Sequence, residues 1–417
     1  GGSSAAAGAN PGADAALPRQ MRREKGAFFT PAPLIELVVE ATLEPLVRDL
    51  RPGSIPELVV VDPACGDGRF LAEAGRWLLQ RLHLGLDQAE ELARRCLVGI
   101  ERDPSFAELA RVALPGARIL CQEALLGAAE LERIDAVIGN PPYLRSIHLG
   151  SSDDELRQAL RGRFEATSYG EWDLYAAFLE QAFDWVRGHG QVGLVVPSRW
   201  LTARFAAGLR GKLAAERSLR GLIDFGAEQV FESATTYASV VFLSGRSVDQ
   251  ARVGRFRGGR WTTGSVPTAQ LSSSPWHLSV GASAKALRSL ETGRHRLGDV
   301  ARIVKGAGTN CDAAFVFASG ESCGEVTRVH SKLLDEVVDL ETDVLRPCFR
   351  GRDVQAPFSS AGGAVAIVPY DASGVLWSPR ALGDRFPLAR AYLERCRPRL
   401  EARERGRFAG ETFYCYG

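Results

Sequence analysis

Apolar runs alternating with helical-period segments shape the first 245 residues. Leu58–Asp62 (LVVVD), Leu97–Glu101 (LVGIE) and Ile134–Gly139 (IDAVIG) are nearly unbroken, as strands buried on both faces of a parallel sheet are. Arg118–Leu126 reads as a further strand ending near Glu123. Apolar positions 34, 35, 38, 39 and 43 repeat at helical spacing behind Thr30-Pro31, an N-cap and first-turn signal. Helices are predicted again from Arg69 to about Leu82 and over Phe106–Ala113. Another opens at Glu171–Tyr175, with Asp173 in its capping region, and runs to about Val186; Gln191–Pro197 is a buried strand, and a helix follows from Trp200 to about Glu216. Leu222–Phe225 and Ser239–Leu243 are expected to complete the sheet as a hairpin. The alternation predicts an α/β fold: a Rossmann-like mixed sheet with helices on both faces.

The pattern then changes. From Ser244 to Ser274 the chain is rich in Gly, Ser and Thr and carries Arg252, Arg255, Arg257 and Arg260, which reads as a domain boundary. Beyond it, Gly306–Asn310 is a turn, Ala314–Phe317 and Val365–Val368 are short strands, and Ala389–Arg403 is a basic helix. This irregular spacing predicts a second, α+β domain over residues 246–417, after an α/β domain over 25–245. Residues 1–24 are small and polar, contain no apolar core segment, and are expected to be a disordered tail or linker. The aromatic end, Phe413 to Gly417, is of a kind normally buried, so the sequence is expected to stop within a domain.

The chemistry gathers at the carboxyl ends of the strands, where open α/β sheets bind ligands. The fourth strand runs into Asn140-Pro141-Pro142-Tyr143. Two prolines fix φ and remove two backbone donors, so the chain leaves the sheet as a stiff loop. It offers a carboxamide, carbonyl acceptors and an aromatic face, which suit a flat ring bearing an amino group. The first strand ends in Asp62-Pro63-Ala64-Cys65-Gly66-Asp67-Gly68, whose glycines permit a tight turn. Its two carboxylates would repel a pyrophosphate but suit a cationic centre. Cys65 reads as a small apolar wall. Glu101 closes the second strand, where an acid accepts both hydroxyls of a ribose. Glu123, after the third strand, is placed to meet an adenine amino group. Together these groups describe a site for S-adenosylmethionine, whose sulfonium is a cation. The acceptor would be an amino group on a planar base, held at Asn140 Oδ1 and the Pro141 carbonyl and stacked on Tyr143. Such a base must be turned out of a duplex to be reached.

Composition narrows the partners. The chain has 417 residues and a net charge of only +1, yet residues 246–417 hold 25 Lys and Arg against 18 Asp and Glu, which points to a polyanion. The eight cysteines are scattered without a CxxC pair, so neither a disulfide framework nor a metal site is expected and a reducing cytoplasm is. No apolar run approaches the ~20 residues of a membrane span.

The motifs, in this order, resemble the adenine-specific DNA amino-methyltransferases of the TaqI-like, gamma-ordered group, class I S-adenosylmethionine-dependent enzymes of restriction–modification systems. The resemblance extends over about residues 25–417. Gly26 to Pro31, with Phe28 and Thr30, is similar to the family's cofactor-capping motif. Asp62 to Gly68 matches the first cofactor motif and Glu101 the ribose acid. Glu123 stands where the family usually has Asp, and Ala124 where an aromatic often stacks on the cofactor adenine. Asn140 to Tyr143 matches the catalytic motif, with Asn140 and Pro142 also at the cofactor. Val230-Phe231 resembles the motif whose Phe packs on the flipped base. The resemblance implies that Leu297–Phe317 and Leu345–Tyr416 form a DNA target-recognition domain. Arg252, Arg255, Arg257, Arg260, Arg350 and Arg352 are then candidates for DNA contact. It implies double-stranded DNA as substrate, no membrane partner, a monomer, and a cognate nuclease or defence-system subunit as companion. The same loop also serves enzymes that methylate RNA or glutamine side chains, and a specificity subunit with a weak site is the non-enzymatic alternative.

Overall fold

The structure is a computed structural model describing residues 30–127, 131, 133–149, 154–226, 237–257, 259–281, 290, 295–302, 306–349 and 363–417. The chain forms two compact units, one ending at Arg294 and one beginning at His295.

In the first unit the apolar runs become strands β1 (Val60–Asp62), β2 (Leu97–Glu101), β3 (Arg118–Cys121), β4 (Ala136–Gly139) and β5 (Gln191–Pro197). They are joined by β6 (Leu219–Asp224), β7 (Ala238–Ser244), β8 (Gln250–Arg257) and β9 (Arg260–Pro267). The nine strands form one sheet in the order β3-β2-β1-β4-β5-β7-β6-β8-β9. Strands β1 to β5 are mutually parallel, and β7 runs antiparallel to both β5 and β6. This is the expected Rossmann-like mixed sheet with helices on both faces. Helices α1 (Ala32–Val47), α2 (Arg69–Arg81), α3 (Ala89–Cys96) and α4 (Pro104–Ala113) pack on one face. Helices α5 (Asp154–Arg163), α6 (Leu174–Val186) and α7 (Ala207–Ala215) pack on the other. Successive strand residues divide between the two apolar cores, Val60 and Ile138 into one, Val61 and Val137 into the other, because side chains alternate along a strand. Asp135, the one acid in the fourth run, is buried; it accepts the Val59 N–H at 3.0 Å and pairs with Arg133 at 2.7 Å, so it clamps β4 to β1.

Two expectations change here. The β6–β7 pair does not complete the sheet, because β8 adds parallel to β6 and β9 returns antiparallel to β8. The boundary expected at 245/246 therefore falls inside the first unit. Because β8 is parallel to β6, its carboxyl end lies on the same edge as those of β1, β2, β4 and β5. The turn joining β8 to β9 stands at the edge that carries the Asn140 loop.

The second unit contains one-turn helices α8 (Leu297–Val300) and α9 (Asp312–Phe315), so the strand expected at Ala314 is only β10 (Val316–Phe317). The hairpin strands β11 (Gly320–Cys323), β12 (Val326–Ser331) and β13 (Glu336–Glu341) form one antiparallel sheet; β14 (Leu345–Pro347) and β15 (Val365–Ile367) form another with β10. Helices α10 (Pro379–Arg385) and α11 (Pro387–Glu401) follow. The Glu341 carboxylate accepts the Leu388 and Ala389 N–H groups at 2.7 and 3.0 Å, satisfying donors that the first turn of α11 leaves unpaired. Phe413 and Tyr414 are buried in the core of this unit with Phe315, Phe317 and Tyr392. No helix among the described residues is long and apolar enough to cross a membrane.

Candidate active site

The turn after β1 is drawn tight across the sheet edge. The Cys65 N–H donates to the Ile100 carbonyl at 3.0 Å, and the Gly68 N–H to the Cys65 carbonyl at 2.8 Å. Gly68 has φ 87°, and a Cβ there would stand 2.8 Å from Leu114 Cδ1, so both conformation and space require glycine. The Gly66 N–H donates to Glu101 Oε2 at 2.9 Å, and the Asp103 N–H to Glu101 Oε1 at 2.8 Å. Glu101 thus bridges the turns after β1 and β2 with its carboxylate fixed. Burial raises its pKa, and the two backbone donors partly offset that.

Asp62 is fully buried, with Oδ1 accepting the Ala64 N–H at 3.1 Å. Burial above all, with the negative charges of Glu101 and Asp67 adding, pushes its carboxyl up to about 8. Asp67 is tied to Arg69 at 2.9 Å. Three carboxylates thus converge on one turn, an arrangement that a positively charged ligand relieves. Cys65 is buried, and that burial, followed by the charges of Asp62 and Glu101, raises its thiol pKa, so it is a wall group rather than a nucleophile. Glu123 lies just beyond β3; it accepts the Leu125 N–H at 3.2 Å and stands 3.8 Å from Arg102.

The Asn140 loop joins this edge through Gly139, which has φ 145°. A Cβ at Gly139 would lie 2.5 Å from Asp62 Oδ1, so the last residue of β4 packs directly on the acid of β1. Asn140 Nδ2 donates to Thr30 Oγ1 at 3.0 Å, which sets the amide with Oδ1 as its acceptor edge. Thr30 itself is buried at the head of α1. Its hydroxyl, expected on the cofactor, is thus engaged with the carboxamide. Pro141 is buried and Pro142 half-buried. The Tyr143 hydroxyl donates to the Val195 carbonyl at 3.3 Å, and its ring meets Tyr175 edge-on at 6.2 Å. Burial raises the Tyr143 phenol well above its ordinary value, keeping it a neutral aromatic face.

The structure thus gathers Thr30, Asp62, Ala64, Cys65, Gly66, Gly68, Glu101, Glu123 and the Asn140–Tyr143 loop along one sheet edge. Arg252, Arg255, Arg257 and Arg260 are exposed on the β8–β9 hairpin, with Arg257 and Arg260 opposite each other where it closes. Arg255 pairs with Asp224 at the end of β6, at 3.2 Å. Phe28, Phe231, Arg350 and Arg352 lie outside the described residues.

One group escaped the sequence reading. Asp173 occupies the N-cap position of α6, but its side chain makes no capping bond. It is buried instead against Arg199, 3.0 Å away, with Arg145 at 4.0 Å. A cavity of about 630 Å³ beside Tyr143 is lined by these three residues. The only local signal was a buried-helix start carrying an acid, which reads first as a cap.

Residues 117–231 match the Eco57I restriction-modification methylase family. The chain is 21% identical over 290 residues to the type II restriction enzyme and methyltransferase RM.Eco57I of Escherichia coli, covering 56% of this chain and 29% of that protein. It is 22% identical over 431 residues to the type II methyltransferase M.PaeR7I of Pseudomonas aeruginosa, covering 94% of this chain and 70% of that one. The chain thus spans less than a third of the first of these relatives. Among solved structures, the type IIL restriction-modification enzyme MmeI, in complex with DNA, shares the fold with a TM-score of 0.59 at 15% identity, over 93% of this chain and 56% of that one.

Proposed function

We propose that the chain is a restriction–modification DNA methyltransferase that transfers a methyl group from S-adenosylmethionine to the exocyclic amino group of an adenine turned out of a specific duplex DNA sequence. The observation that carries this reading is the Asn140 carboxamide, oriented by Thr30 beside the Tyr143 ring, on the same edge as the acids of β1 and β2.

The residues fit the cofactor on their own chemistry. The Asp62, Asp67 and Glu101 carboxylates converge, with Arg69 paired to Asp67, and Asp62 carries a raised pKa that a positive ligand would lower again. Glu101, fixed by two N–H donors, presents an acceptor for ribose hydroxyls, and Glu123 one for an adenine amino group. Bound there, S-adenosylmethionine supplies an electrophilic methyl group on a sulfonium.

An adenine amino nitrogen is a weak nucleophile because its lone pair is delocalised into the ring. Asn140 Oδ1 and the Pro141 carbonyl accept its two N–H bonds and draw the lone pair out of conjugation. Tyr143 stacks on the ring and stabilises the positive charge that develops on nitrogen. The reaction asks for orientation and charge stabilisation more than for proton transfer in the rate-determining step. Arg255, Arg257 and Arg260 of the β8–β9 hairpin lie toward the same edge, where they reach phosphates. The second unit supplies target recognition, and the modification protects DNA from a partner nuclease or serves phage defence.

The test is methyl transfer from tritiated S-adenosylmethionine to unmethylated duplex DNA, followed by digestion to nucleosides. Label in N6-methyladenine supports the reading. Label only in RNA or protein, or in a methylated cytosine, overturns it.

A further inference from the structure

Transfer at the Asn140 loop leaves a second site beside Tyr143 unused. The cavity of about 630 Å³ is lined by Tyr143, with neither Asn140 nor Pro141 on its wall, so it lies to the side of the two acceptors assigned to the reacting amino group. It lies within the range of sites that enclose a nucleotide-sized ligand, ~300–1,000 Å³.

Its walls are of two kinds. Tyr143, Tyr175 and Trp276 give aromatic surface, with Trp276 fixed by an edge contact to Trp200 at 5.4 Å and by its Nε1–H donating to the Ser272 carbonyl at 2.7 Å. Arg145, Arg199 and Arg255 bring three guanidinium groups against two acids, Asp173 and Asp224. Arg199 holds Asp173 at 3.0 Å and Arg255 holds Asp224 at 3.2 Å, while Arg145 is anchored to Glu171 at 2.8 Å. The carboxylates set the positions of the forks without exhausting five donors on each.

A second observation points independently to a ligand. Tyr175 is 1% exposed and lines the cavity; its hydroxyl lies toward the Trp200 main chain but makes no hydrogen bond of normal geometry among the described residues. Buried polar groups are normally paired, and an unpaired one at a cavity wall is a group waiting for a partner. The cavity and the catalytic loop share the Tyr143 ring, so a strand whose base stacks there passes its next nucleotide to this opening.

Resting on the proposed function, we propose that the cavity seats the nucleotide adjoining the methylated one in the same DNA strand. Its phosphate lies against Arg145 and Arg199, its ring or sugar against the aromatic wall, and a polar edge meets the Tyr175 hydroxyl. The site reads a deoxynucleotide phosphate, a chemistry separate from the cofactor crevice.

The test uses the full chain and a fluorescein-labelled single strand of twelve deoxyadenosines, which presents unpaired nucleotides without needing the target sequence. Tyr175→Phe removes one oxygen. It is expected to weaken binding of the strand by about 5- to 10-fold, to leave the affinity for S-adenosylmethionine within twofold, and to leave the melting temperature of the free protein unchanged or raised. Arg199→Gln, at a half-exposed position, is expected to weaken binding and to reduce the slope of log affinity against log salt by about 0.7. Unchanged strand binding in both variants, or no binding by the wild type, overturns the proposal. So does a lowered melting temperature for Tyr175→Phe with binding intact, since the hydroxyl would then be structural. Binding that depends on Tyr175 and Arg199, in a protein that methylates no DNA, would uphold this site while refuting the transfer reading.

Discussion

Thr30→Val separates what Thr30 does in the structure from what its sequence position suggests. The substitution keeps the shape of a buried side chain and removes the oxygen that Asn140 Nδ2 donates to at 3.0 Å. A neutral hydrogen bond is worth about 0.5–1.5 kcal/mol net, rising to about 3 when a buried partner is left unsatisfied. Asn140 is only half-buried, so the loss should fall near 1–2 kcal/mol. That energy orients the amide. Without it, nothing holds the acceptor edge of Asn140 toward the substrate amino group. If the cost appears only at the transition state, the transfer rate falls about 5- to 30-fold. Single-turnover methyl transfer at saturating cofactor isolates this step from product release, and calorimetry reads cofactor affinity, expected within threefold of wild type. Thr30→Ser, which restores the hydroxyl, should recover most of the rate. A wild-type single-turnover rate in Thr30→Val would refute the orienting role. A loss confined to cofactor affinity would refute it too, and would return Thr30 to the cofactor as its motif suggests.

Other consequences are equally direct. Asn140→Ala should lower transfer by more than about 100-fold, the scale of losing one preorganised transition-state contact, while calorimetry finds cofactor binding largely intact; parallel loss of both would contradict the assignment. Asp62 titrates near 8 in the folded chain against an ordinary value of 3.8, so between those values the folded state holds a proton that the unfolded chain has released. Its contribution to stability therefore falls as pH rises through that window, and Asp62→Asn should melt progressively higher than wild type, in ligand-free protein, from pH 5 to pH 9. Parallel melting curves across that range would count against the buried, uncompensated acid. Arg257→Ala and Arg260→Ala, at the exposed hairpin end, should each reduce the salt slope of duplex binding by about 0.9 without changing which sequence is methylated; an altered methylation site would instead make them base-reading residues.

Legibility in the sequence followed burial. Strands β1, β2 and β4 are covered on both faces, so each is written as a continuous apolar run, and their ends could be located together with the groups at them. The Asn140 loop was equally plain because two prolines forbid any other continuation. The β8–β9 hairpin was missed for the converse reason. It stands at the sheet margin, where β9 buries no residue fully, so its threonines, glycines and arginines look like a linker. The domain boundary was consequently placed some fifty residues early. Asp173 and Arg199 meet across 26 residues, and Asp224 and Arg255 across 31, with no periodicity linking either pair. The cavity they line is thus a property of packing that no single stretch records. Thr30 was found as a cap signal, but its partner lies 110 residues away.

The account rests on one chemical event, the arrival of a methyl group on an adenine amino nitrogen through the Asn140 loop. Incubating wild type and Asn140→Ala with tritiated S-adenosylmethionine and unmethylated bacterial genomic DNA, then resolving the nucleosides, tests it most directly. The account predicts label in N6-methyladenine for the wild type and none for the variant, with both proteins binding cofactor alike. Label in any other nucleoside, or N6-methyladenine formed equally by both proteins, would contradict it.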